Sequence, residues 1–353
     1  MTGPLGVGVV GAGGFGAFCV GAFEELADAR VVAVMDTDLA RAEAIAPHGA
    51  ASYDDLETLL GDRAVDIVHI ATPPHLHGAF ARRSAERGKH VLVEKPLATT
   101  VDEARAAVEA AQRAAVQLSI NYVLRHHPIH RLALQLTRSG AMGSLQYFVL
   151  ENFASSQRLP PDHWFWDPKL SGGIHVEHGV HFIDLLLAHA QTDPDAVVGT
   201  TQQRADGRVD RVGVVLRFGD ALVASMYHSF NRDAASERTS LRLAFEHGHV
   251  TIEGWIPTRL DMEGSIAQAA EPTVRTLLGD SLRTGDAQPA GRVARMSIAA
   301  TIEYPERQHQ YRLAVRAGMN DLVAAIRRGQ DLTVTPQDGL RSLVVALQAS
   351  NTI

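Results

Sequence analysis

The sequence has very little cysteine and no surplus of basic residues. Its single cysteine, Cys19, excludes an internal disulfide, which is typical of a protein from a reducing compartment. Lysine and arginine number 33 against 40 aspartate and glutamate residues, for a formal net charge of -7. Binding to nucleic acid or to an anionic membrane surface requires a basic patch. We therefore expect neither a nucleic-acid partner nor a membrane partner.

Charged side chains are absent from residues 1–23, and such a start could be mistaken for a signal peptide. A signal peptide carries lysine or arginine ahead of its apolar part, and this stretch has neither. The sequence therefore predicts no targeting or transmembrane segment and a cytoplasmic location. Cys19 lies in an apolar helical pattern, so we expect it to be a small buried hydrophobic residue.

At 353 residues the chain exceeds the size of one typical core, and two domains are expected. Its first third alternates apolar strands with helical patterns, which is typical of an α/β fold with a doubly wound parallel sheet. The predicted strands cover residues 5–10, 31–35, 65–70, 90–93 and 118–120. The predicted helices cover residues 39–46, 54–60, 79–87 and 101–114.

From about residue 144 the pattern changes to successive strands with short turns, which predicts a large open, mostly antiparallel sheet. These strands are predicted at residues 145–153, 196–203, 212–218, 222–230, 240–245, 250–255 and 294–304. Residues 267–291 are rich in small and polar side chains and are predicted to form a loop or a mobile excursion. Helical periodicity returns at residues 319–328 and 336–349.

A glycine-rich turn, Gly-Ala-Gly-Gly-Phe-Gly, occupies residues 11–16 after the first strand. In a dinucleotide-binding unit Gly11 makes the tight turn, Gly13 lets the backbone approach a pyrophosphate, and Gly16 lets the helix pack on the strand. The phosphates lie on the helix N-terminus. Asp36 ends the next strand twenty residues later, where an acid binds the adenosine ribose. The spacing predicts dinucleotide binding; a glycine-rich turn that binds nothing is the alternative.

Asp36 also favours NAD over NADP, because its carboxylate accepts both ribose hydroxyls and repels a 2′-phosphate. The neighbours Thr37 and Asp38 supply no cation there. Arg41 could weaken this preference if it folds back over the ribose.

Glu94-Lys95-Pro96 directly follows the strand predicted at residues 90–93. Ligands of open α/β sheets bind beyond the carboxyl ends of the strands. A partly desolvated lysine in that place can donate or accept a proton, so Lys95 is a candidate catalytic residue. A solvated turn lysine is the alternative on position alone.

A second candidate group follows the glycine pair at residues 172–173. If the segment is a helix, Glu177, His181 and Asp184 share one face by their i, i+4 and i+7 spacing, and a carboxylate can orient a histidine and raise its basicity. His175, His178 and His181 fall within a broad arc, which leaves a zinc site as an alternative. The chain offers no other compact ligand group, so we expect no metal, and His178 alone suggests a structural role.

Several segments together resemble one family. They are the glycine turn with Asp36, A-T-P-P-H-L-H at 71–77, G-K-H-V-L-V-E-K-P at 88–96, G-G-I-H-V-E-H-G-V-H-F-I-D at 172–184 and D-L-T-V-T-P-Q-D-G-L at 331–340. Their order and spacing resemble those of the glucose–fructose oxidoreductase / inositol dehydrogenase / MocA (Gfo/Idh/MocA) family of nicotinamide-dependent oxidoreductases. The resemblance extends over nearly the whole chain.

The resemblance implies a Rossmann domain at residues 1–122 and an α+β substrate and oligomerisation domain at residues 123–335, with the helix at 336–353 packing back near the first domain. The open sheet of the second domain often forms the oligomer interface in this family. We therefore expect a homodimer or homotetramer. The implied chemistry is hydride transfer between a substrate carbinol carbon and C4 of NAD(P).

In this resemblance Lys95 and His181 face the reacting hydroxyl as catalytic residues. Many members have aspartate where this chain has Glu177, so Glu177 either contacts the substrate or only orients His181. The cofactor-binding residues are predicted to be Gly11, Gly13, Gly14, Phe15, Gly16, Asp36, Thr37, Ala71, Thr72, Pro73, His77, Glu94, Lys95 and Asn121. The substrate-binding residues are predicted to be Lys95, Tyr122, Arg125, Trp164, Trp166, Glu177, His178 and His181. Core packing is the alternative for the two tryptophans.

The sequence thus predicts an oxidoreductase that uses NAD, with NADP less favoured, on a secondary alcohol or ketone of a sugar, a cyclitol or a similar small polar metabolite. Two alternatives stay open. One is a glycosidase or lyase that retains NAD and uses transient oxidation. The other is an NAD-binding sensor without catalysis.

Overall fold

The computed structural model of the chain describes residues 3–157, 159–290 and 293–351. The chain forms two compact units. Unit 1 comprises Met1–His126, Trp164–His181 and Tyr311–Val344, and unit 2 comprises His127–His163, Phe182–Gln310 and Val345–Ile353. Residues 164–181 and 311–335, predicted within the second domain, thus belong to the unit that contains the N-terminal sheet. No described helix is long and apolar enough to cross a membrane.

The helices of both units alternate with strands or connect them. They are α1 Gly14–Phe23, α2 Leu39–Ile45, α3 Leu56–Gly61, α4 His77–Glu86, α5 Val101–Ala114, α6 Val123–His126, α7 Pro128–Ser139, α8 Pro168–Ser171, α9 Val180–Ala190, α10 Glu271–Leu278, α11 Arg307–Arg328 and α12 Pro336–Asn351. Local signals explain their bounds. For α5, the Thr100 hydroxyl accepts a hydrogen bond from the Glu103 N–H and donates one to the Glu103 carboxylate, so Thr100 caps the helix N-terminus.

Unit 1 contains a six-stranded parallel sheet in the order β3-β2-β1-β4-β5-β6. Its strands are β1 Leu5–Val10, β2 Ala29–Met35, β3 Ala51–Tyr53, β4 Ile67–Ile70, β5 His90–Val93 and β6 Leu118–Ile120. Val10 pairs with Met35 on one side and with Ile70 on the other. The residues that follow β1, β2 and β4 therefore leave the sheet at one level, at the point where the strand order reverses and where such sheets bind ligands.

Unit 2 contains a nine-stranded sheet in the order β14-β15-β13-β12-β11-β7-β10-β9-β8. Its strands are β7 Leu145–Ser155, β8 Ala196–Gln203, β9 Val209–Phe218, β10 Leu222–Arg232, β11 Arg238–Phe245, β12 Gly248–Glu253, β13 Arg259–Ala267, β14 Arg283–Ala290 and β15 Val293–Glu303. Strands β7 and β10 are parallel and the other neighbours are antiparallel. The predicted α/β fold with a second, mostly antiparallel open sheet is confirmed.

The prediction of a loop at residues 267–291 is wrong for its described part. This segment contains α10 and the edge strand β14, which pairs with β15. The side chains of β14 are mostly exposed, so the strand carries no alternation of apolar and polar residues that a sequence could reveal. Strands β3 and β13 and helix α7 were likewise not predicted. The predicted burial of Cys19 is confirmed.

Candidate active site

The glycine turn lies directly after β1, and two of its glycines are required by close backbone packing. Gly11 has a φ of +104°, and a Cβ there would lie 2.5 Å from the carbonyl oxygen of Ala71. A Cβ on Gly16 would lie 1.9 Å from the carbonyl oxygen of Gly11. Gly13 and Gly14 are different, because they are exposed and a Cβ on either would meet nothing within 4 Å. The backbone of the turn is therefore closely packed at Gly11 and Gly16, and there is open space beside Gly13 and Gly14.

Helix α1 begins at this turn without a side-chain cap. Its N-cap residue Gly13 is extended and forms no capping hydrogen bond, and the first turn contains no acid. An uncapped first turn leaves backbone N–H groups for an anion. The Phe15 ring packs against Phe18 and Tyr311, with ring centroids 5.9 and 6.0 Å away, so this predicted cofactor residue supports the turn through an aromatic cluster.

Asp36 follows β2, and its carboxylate is fixed beside the glycine turn. The Ala12 N–H donates to Oδ2 at 2.8 Å, and the Asp38 N–H donates to Oδ1 at 3.0 Å. Each oxygen retains acceptor capacity for a further donor. Thr37 is exposed next to it. Arg41 pairs with Asp38 at 3.4 Å on the surface, so in the structure its guanidinium lies on a different carboxylate.

The loop after β4 contains Ala71, Thr72 and Pro73, all half-buried. The Thr72 hydroxyl oxygen is buried and forms no hydrogen bond within the described residues. A buried hydroxyl without a partner is unfavourable unless a ligand completes it. The uncapped α1, the fixed Asp36 carboxylate and this hydroxyl all fit a dinucleotide, which would take its pyrophosphate at the turn and its ribose at Asp36.

Lys95 follows β5 and is paired with Glu177. The Lys95 ammonium donates to the Glu177 carbonyl oxygen and to its Oε1, each at 2.6 Å, and both side chains are largely buried. Burial alone would raise the pKa of Glu177, but the charges of Lys95 and His178 and the hydrogen bond from Lys95 outweigh it and lower the pKa. Because an ammonium has three N–H groups, two go to Glu177 and one is left for another acceptor.

Glu177 lies on a π-helical turn, His175–Gly179, rather than in a regular α-helix. The chain enters it through Gly172 and Gly173, whose φ values are +79° and +85°. A Cβ on Gly172 would lie 2.5 Å from the side chain of Val176. The segment is therefore helical after the glycine pair, but the regular spacing considered for it applies only from Val180, where α9 begins. Single π turns are often found at functional sites, and this one places both the carbonyl and the carboxylate of Glu177 on Lys95.

His181 is the second residue of α9, is buried, and packs against Tyr122. The two rings meet edge to face with centroids 6.0 Å apart, and His178 lies 6.3 Å from His181 in the same way. Burial lowers the pKa of His178 to about 4, with Glu177 opposing that change and Lys95 adding to it. Tyr122 is fully buried, and its hydroxyl bonds the Ser342 hydroxyl at 2.6 Å.

The other predicted substrate residues lie in unit 1 as well. Arg125 donates to the Thr333 carbonyl at 2.9 Å. Trp164 and Trp166 stand at the two ends of a short 3₁₀ turn and are half-buried, and the Trp166 ring meets Phe165 edge to face at 5.0 Å.

Comparisons with known proteins agree with this architecture. A family model for the Gfo/Idh/MocA "Oxidoreductase family, NAD-binding Rossmann fold" matches residues 5–122, and the "GFO/IDH/MocA C-terminal domain" matches residues 130–251. D-xylose 1-dehydrogenase (NADP(+)) 2 of Haloferax volcanii is 34% identical over 231 residues, which cover 64% of this chain and 69% of that protein. The chain belongs to the Gfo/Idh/MocA oxidoreductase family.

Two further relatives show the range of the family. The scyllo-inositol 2-dehydrogenase (NAD(+)) of Bacillus subtilis is 29% identical over 223 residues, which cover 63% of this chain and 62% of that protein. A solved putative myo-inositol dehydrogenase of Sinorhizobium meliloti 1021 superposes with a TM-score of 0.77 at 22% identity, covering 99% of this chain and 97% of that one. The predicted family is confirmed, and this Gfo/Idh/MocA member is an oxidoreductase with an NAD-binding Rossmann domain.

In its Rossmann domain the Gfo/Idh/MocA member has a buried polar cluster that the sequence predicted only in part. Glu94 Oε1 accepts a hydrogen bond from the Asn121 amide at 2.5 Å and lies 3.9 Å from His69 Nε2. Cys19, His69 and Glu94 are the one group of three potential metal-ligand atoms within 4.8 Å of one another in the described part of the chain. The zinc alternative concerned His175, His178 and His181, which form no such group there. His69 lies within the apolar strand β4. A single histidine in such an apolar run is the feature of the sequence that could have indicated the cluster.

The polar cluster gives this Gfo/Idh/MocA member a carboxyl that is uncharged at neutral pH. Burial raises the pKa of Glu94 from 4.5 to about 8, against the opposing effects of Asn121 and Lys95. Between these two pH values the unfolded chain releases the Glu94 proton while the folded chain keeps it. The stability that Glu94 contributes is therefore fully present below about pH 4.5 and is lost as the pH rises to about 8.

A Glu94→Gln variant is expected to be more stable than the wild type at pH 8, by on the order of 2 to 4 kcal/mol, and close to it at pH 4.5. The glutamine keeps an oxygen for Asn121 and has no proton to lose. Denaturant unfolding at both pH values measures the difference. The control is Glu24→Gln, which neutralises an exposed glutamate and should show no such pH dependence. Equal effects of Glu94→Gln at both pH values would contradict a neutral Glu94.

Proposed function

We propose that this protein is a dehydrogenase or reductase that moves a hydride between a secondary alcohol or ketone of a sugar, cyclitol or similar polar metabolite and NAD. The relatives named above act on a sugar and a cyclitol, as their names state. The observation that carries the proposal is the Lys95–Glu177 pair, because it holds an ammonium at the carboxyl end of β5 with one N–H free of Glu177.

We assign the dinucleotide to the glycine turn, to Asp36 and Thr37, and to the loop after β4. The bound nicotinamide supplies the hydride acceptor in oxidation and the donor in reduction. Glu94 and Asn121 are buried and hydrogen-bonded to each other, so we propose that they support the site without contacting the cofactor. We likewise propose that Phe15 supports the glycine turn.

In the proposed mechanism the remaining Lys95 N–H donates a hydrogen bond to the oxygen of the reacting hydroxyl. His181 takes the hydroxyl proton as general base, and the Lys95 ammonium stabilises the negative charge that develops on the oxygen. Glu177 holds the ammonium through its carbonyl oxygen and its Oε1, and the Tyr122 ring packs against the His181 ring. In the reduction of a ketone His181 returns the proton and Lys95 again stabilises the charge on the oxygen. The polar substrate would contact Arg125, His178 and the two tryptophans.

The substrate class is tested by a panel of sugars, cyclitols and hydroxy acids with NAD or NADP, followed by absorbance of the reduced cofactor. We expect at least one sugar or cyclitol to be oxidised with NAD as the better cofactor. Turnover without added cofactor, by enzyme that retains NAD through purification, would favour the glycosidase or lyase instead. Cofactor binding without turnover of any class would favour a sensor. A cytoplasmic location stays a prediction.

We further propose that the sheet of unit 2 joins copies of the chain. Tyr147, Val198, Val215 and Val223 are 38%, 62%, 49% and 41% exposed. They share one face, since Val223 pairs with Tyr147, Val198 pairs with Val215, and Val215 pairs with Ser225 two residues beyond Val223. An apolar patch of this kind is typical of an interface.

A homodimer or homotetramer is expected by light scattering at micromolar concentration. Placing a charge on this face with Val215→Glu and Val223→Glu should lower the mass to that of a monomer. Leu39→Glu is the matched control, because Leu39 is 39% exposed on α2 of unit 1. A monomeric wild type would refute the interface.

A further inference from the structure

His77 connects the loop after β4 to the loop after β5. It is the first residue of α4, and its ring is 1% exposed. Ring Nδ1 lies 2.7 Å from the Pro96 carbonyl oxygen, and Nε2 lies 2.8 Å from the Thr72 carbonyl oxygen. Both ring nitrogens therefore face the protein's own backbone. The ring offers no nitrogen to a cofactor, although the sequence predicted His77 as a cofactor-binding residue.

The two loops that His77 connects differ in what they carry. Thr72 has the buried hydroxyl without a partner in the described residues, in the loop assigned to the dinucleotide. Pro96 directly follows Lys95, whose ammonium is fixed at its tip by Glu177. The Lys95 side chain is thus held at its tip by the π turn, and the next residue, Pro96, is held at its carbonyl by the His77 ring.

We propose that His77 is a positioning residue, which sets the place of Lys95 relative to the cofactor loop by hydrogen bonding to the Pro96 carbonyl. This inference rests on the proposed role of Lys95. A small displacement of a catalytic group lowers the rate far more than it lowers binding, because the reacting atoms must meet within a few tenths of an ångström. The phosphate turn and Asp36 lie outside this connection, and of the proposed cofactor site only the loop after β4 takes part in it, so we expect NAD affinity to change little.

The ring is neutral at physiological pH. Burial lowers the pKa of His77 to about 4; the two carbonyls and Glu177 oppose that change and Lys95 adds to it. A neutral imidazole has one N–H, so it donates to one of the two carbonyls. The proposal places that proton on Nδ1, from which the ring donates to the Pro96 carbonyl.

Two side-chain amides distinguish the two contacts. In His77→Asn the amide nitrogen takes the place of Nδ1 and can still donate to Pro96, whereas in His77→Gln it takes the place of Nε2 and can donate only to Thr72. His77→Leu removes both contacts. We expect His77→Leu and His77→Gln to lower kcat on the best substrate of the panel by roughly 10²-fold with little change in KM or in NAD affinity. His77→Asn should retain most of the activity.

A second measurement needs no substrate. The chain has three lysines, Lys89, Lys95 and Lys169, so competitive labelling with acetic anhydride and mass spectrometry reads each amine separately. Loss of the Pro96 bond should loosen the Lys95–Glu177 pair and raise Lys95 labelling roughly 10-fold relative to the other two. Lys89 bonds the Asp62 and Val65 carbonyls, so general loosening of the sheet would raise its labelling too.

His90→Leu is the matched control, because His90 accepts a backbone hydrogen bond from Gln117 at the opposite end of β5. It should lower stability without changing Lys95 labelling. Unchanged kcat and unchanged Lys95 labelling in His77→Leu would overturn the inference, as would activity retained by the Gln variant and lost by the Asn variant. A fully active Lys95→Met enzyme would instead refute the proposed mechanism, and the labelling result would still decide the role of His77.

Discussion

Replacing Lys95 with methionine is expected to lower kcat/KM by roughly 10² to 10⁴, which corresponds to about 3 to 5 kcal/mol of transition-state stabilisation. Methionine fills a similar volume but cannot donate to the reacting hydroxyl. His181→Ala should have an effect of the same size, because both groups act on the same hydroxyl. NAD affinity should change little in either variant, since the glycine turn and Asp36 hold the far end of the nucleotide.

The double variant tests whether Lys95 and His181 act on the hydroxyl together or in two separate roles. If Lys95 and His181 act as one unit, the double substitution should lower the rate much less than the product of the single effects. Glu177→Gln should give an intermediate loss, because the amide keeps one oxygen for Lys95 but removes the charge. Lys169→Met is the control, since Lys169 lies exposed at the start of α8. Normal kcat/KM in Lys95→Met would remove the proposed mechanism.

Asp36 is expected to make NAD the preferred cofactor by about 10² in kcat/KM or more. A carboxylate about 4 Å from a 2′-phosphate repels it by roughly 4 kcal/mol per pair of charges at an effective dielectric of 20. The hydrogen bonds from Ala12 and Asp38 hold the Asp36 carboxylate in place, so it cannot easily turn away. Arg41 lies on Asp38 and does not offset that repulsion.

Asp36→Asn should remove most of this preference, because the amide keeps the shape and one acceptor oxygen without the charge. The measurement is kcat/KM for NAD and for NADP in both proteins. Asp54→Asn is the control, since it removes an exposed charge after the neighbouring strand β3 and should leave the ratio unchanged. Equal or better use of NADP by the wild type would refute the cofactor assignment.

Much of unit 1 could be predicted because its signals are local. The apolar runs of β1, β2, β4 and β5 stand out against the helices between them, and the spacing from Gly11 to Asp36 follows from the ribose and pyrophosphate lying on neighbouring strand ends. The π turn at His175–Gly179 could not be predicted in this way. Its hydrogen-bond pattern depends on the glycine pair and on the Lys95 contact, and no residue periodicity encodes it.

The residues that support the site could also not be predicted from the sequence, and the reason is physical. In the sequence His77 is one polar residue among others at the start of a helix. Its two partners are backbone carbonyls, which no residue type in the sequence identifies. Tyr122 is predicted as a substrate residue from the family resemblance. In the structure its hydroxyl forms a hydrogen bond with the hydroxyl of Ser342, 220 positions away in the sequence. Pairings over such distances depend on tertiary packing rather than on local pattern.

Unit 1 is assembled from three separate stretches of chain, and this determines when its parts can form during synthesis. The N-terminal sheet is complete once residue 120 has left the ribosome, but the partner of Lys95 arrives only with residue 177. The Val334 carbonyl that accepts from Ser119 and the hydroxyl of Ser342 arrive close to the end of translation. Since domains tend to fold as their residues emerge, the nascent Rossmann sheet must wait until residue 177 for the partner of Lys95 and until residue 334 for the partner of Ser119 in β6. Premature termination between residues 120 and 342 would therefore leave an incomplete site on a complete sheet.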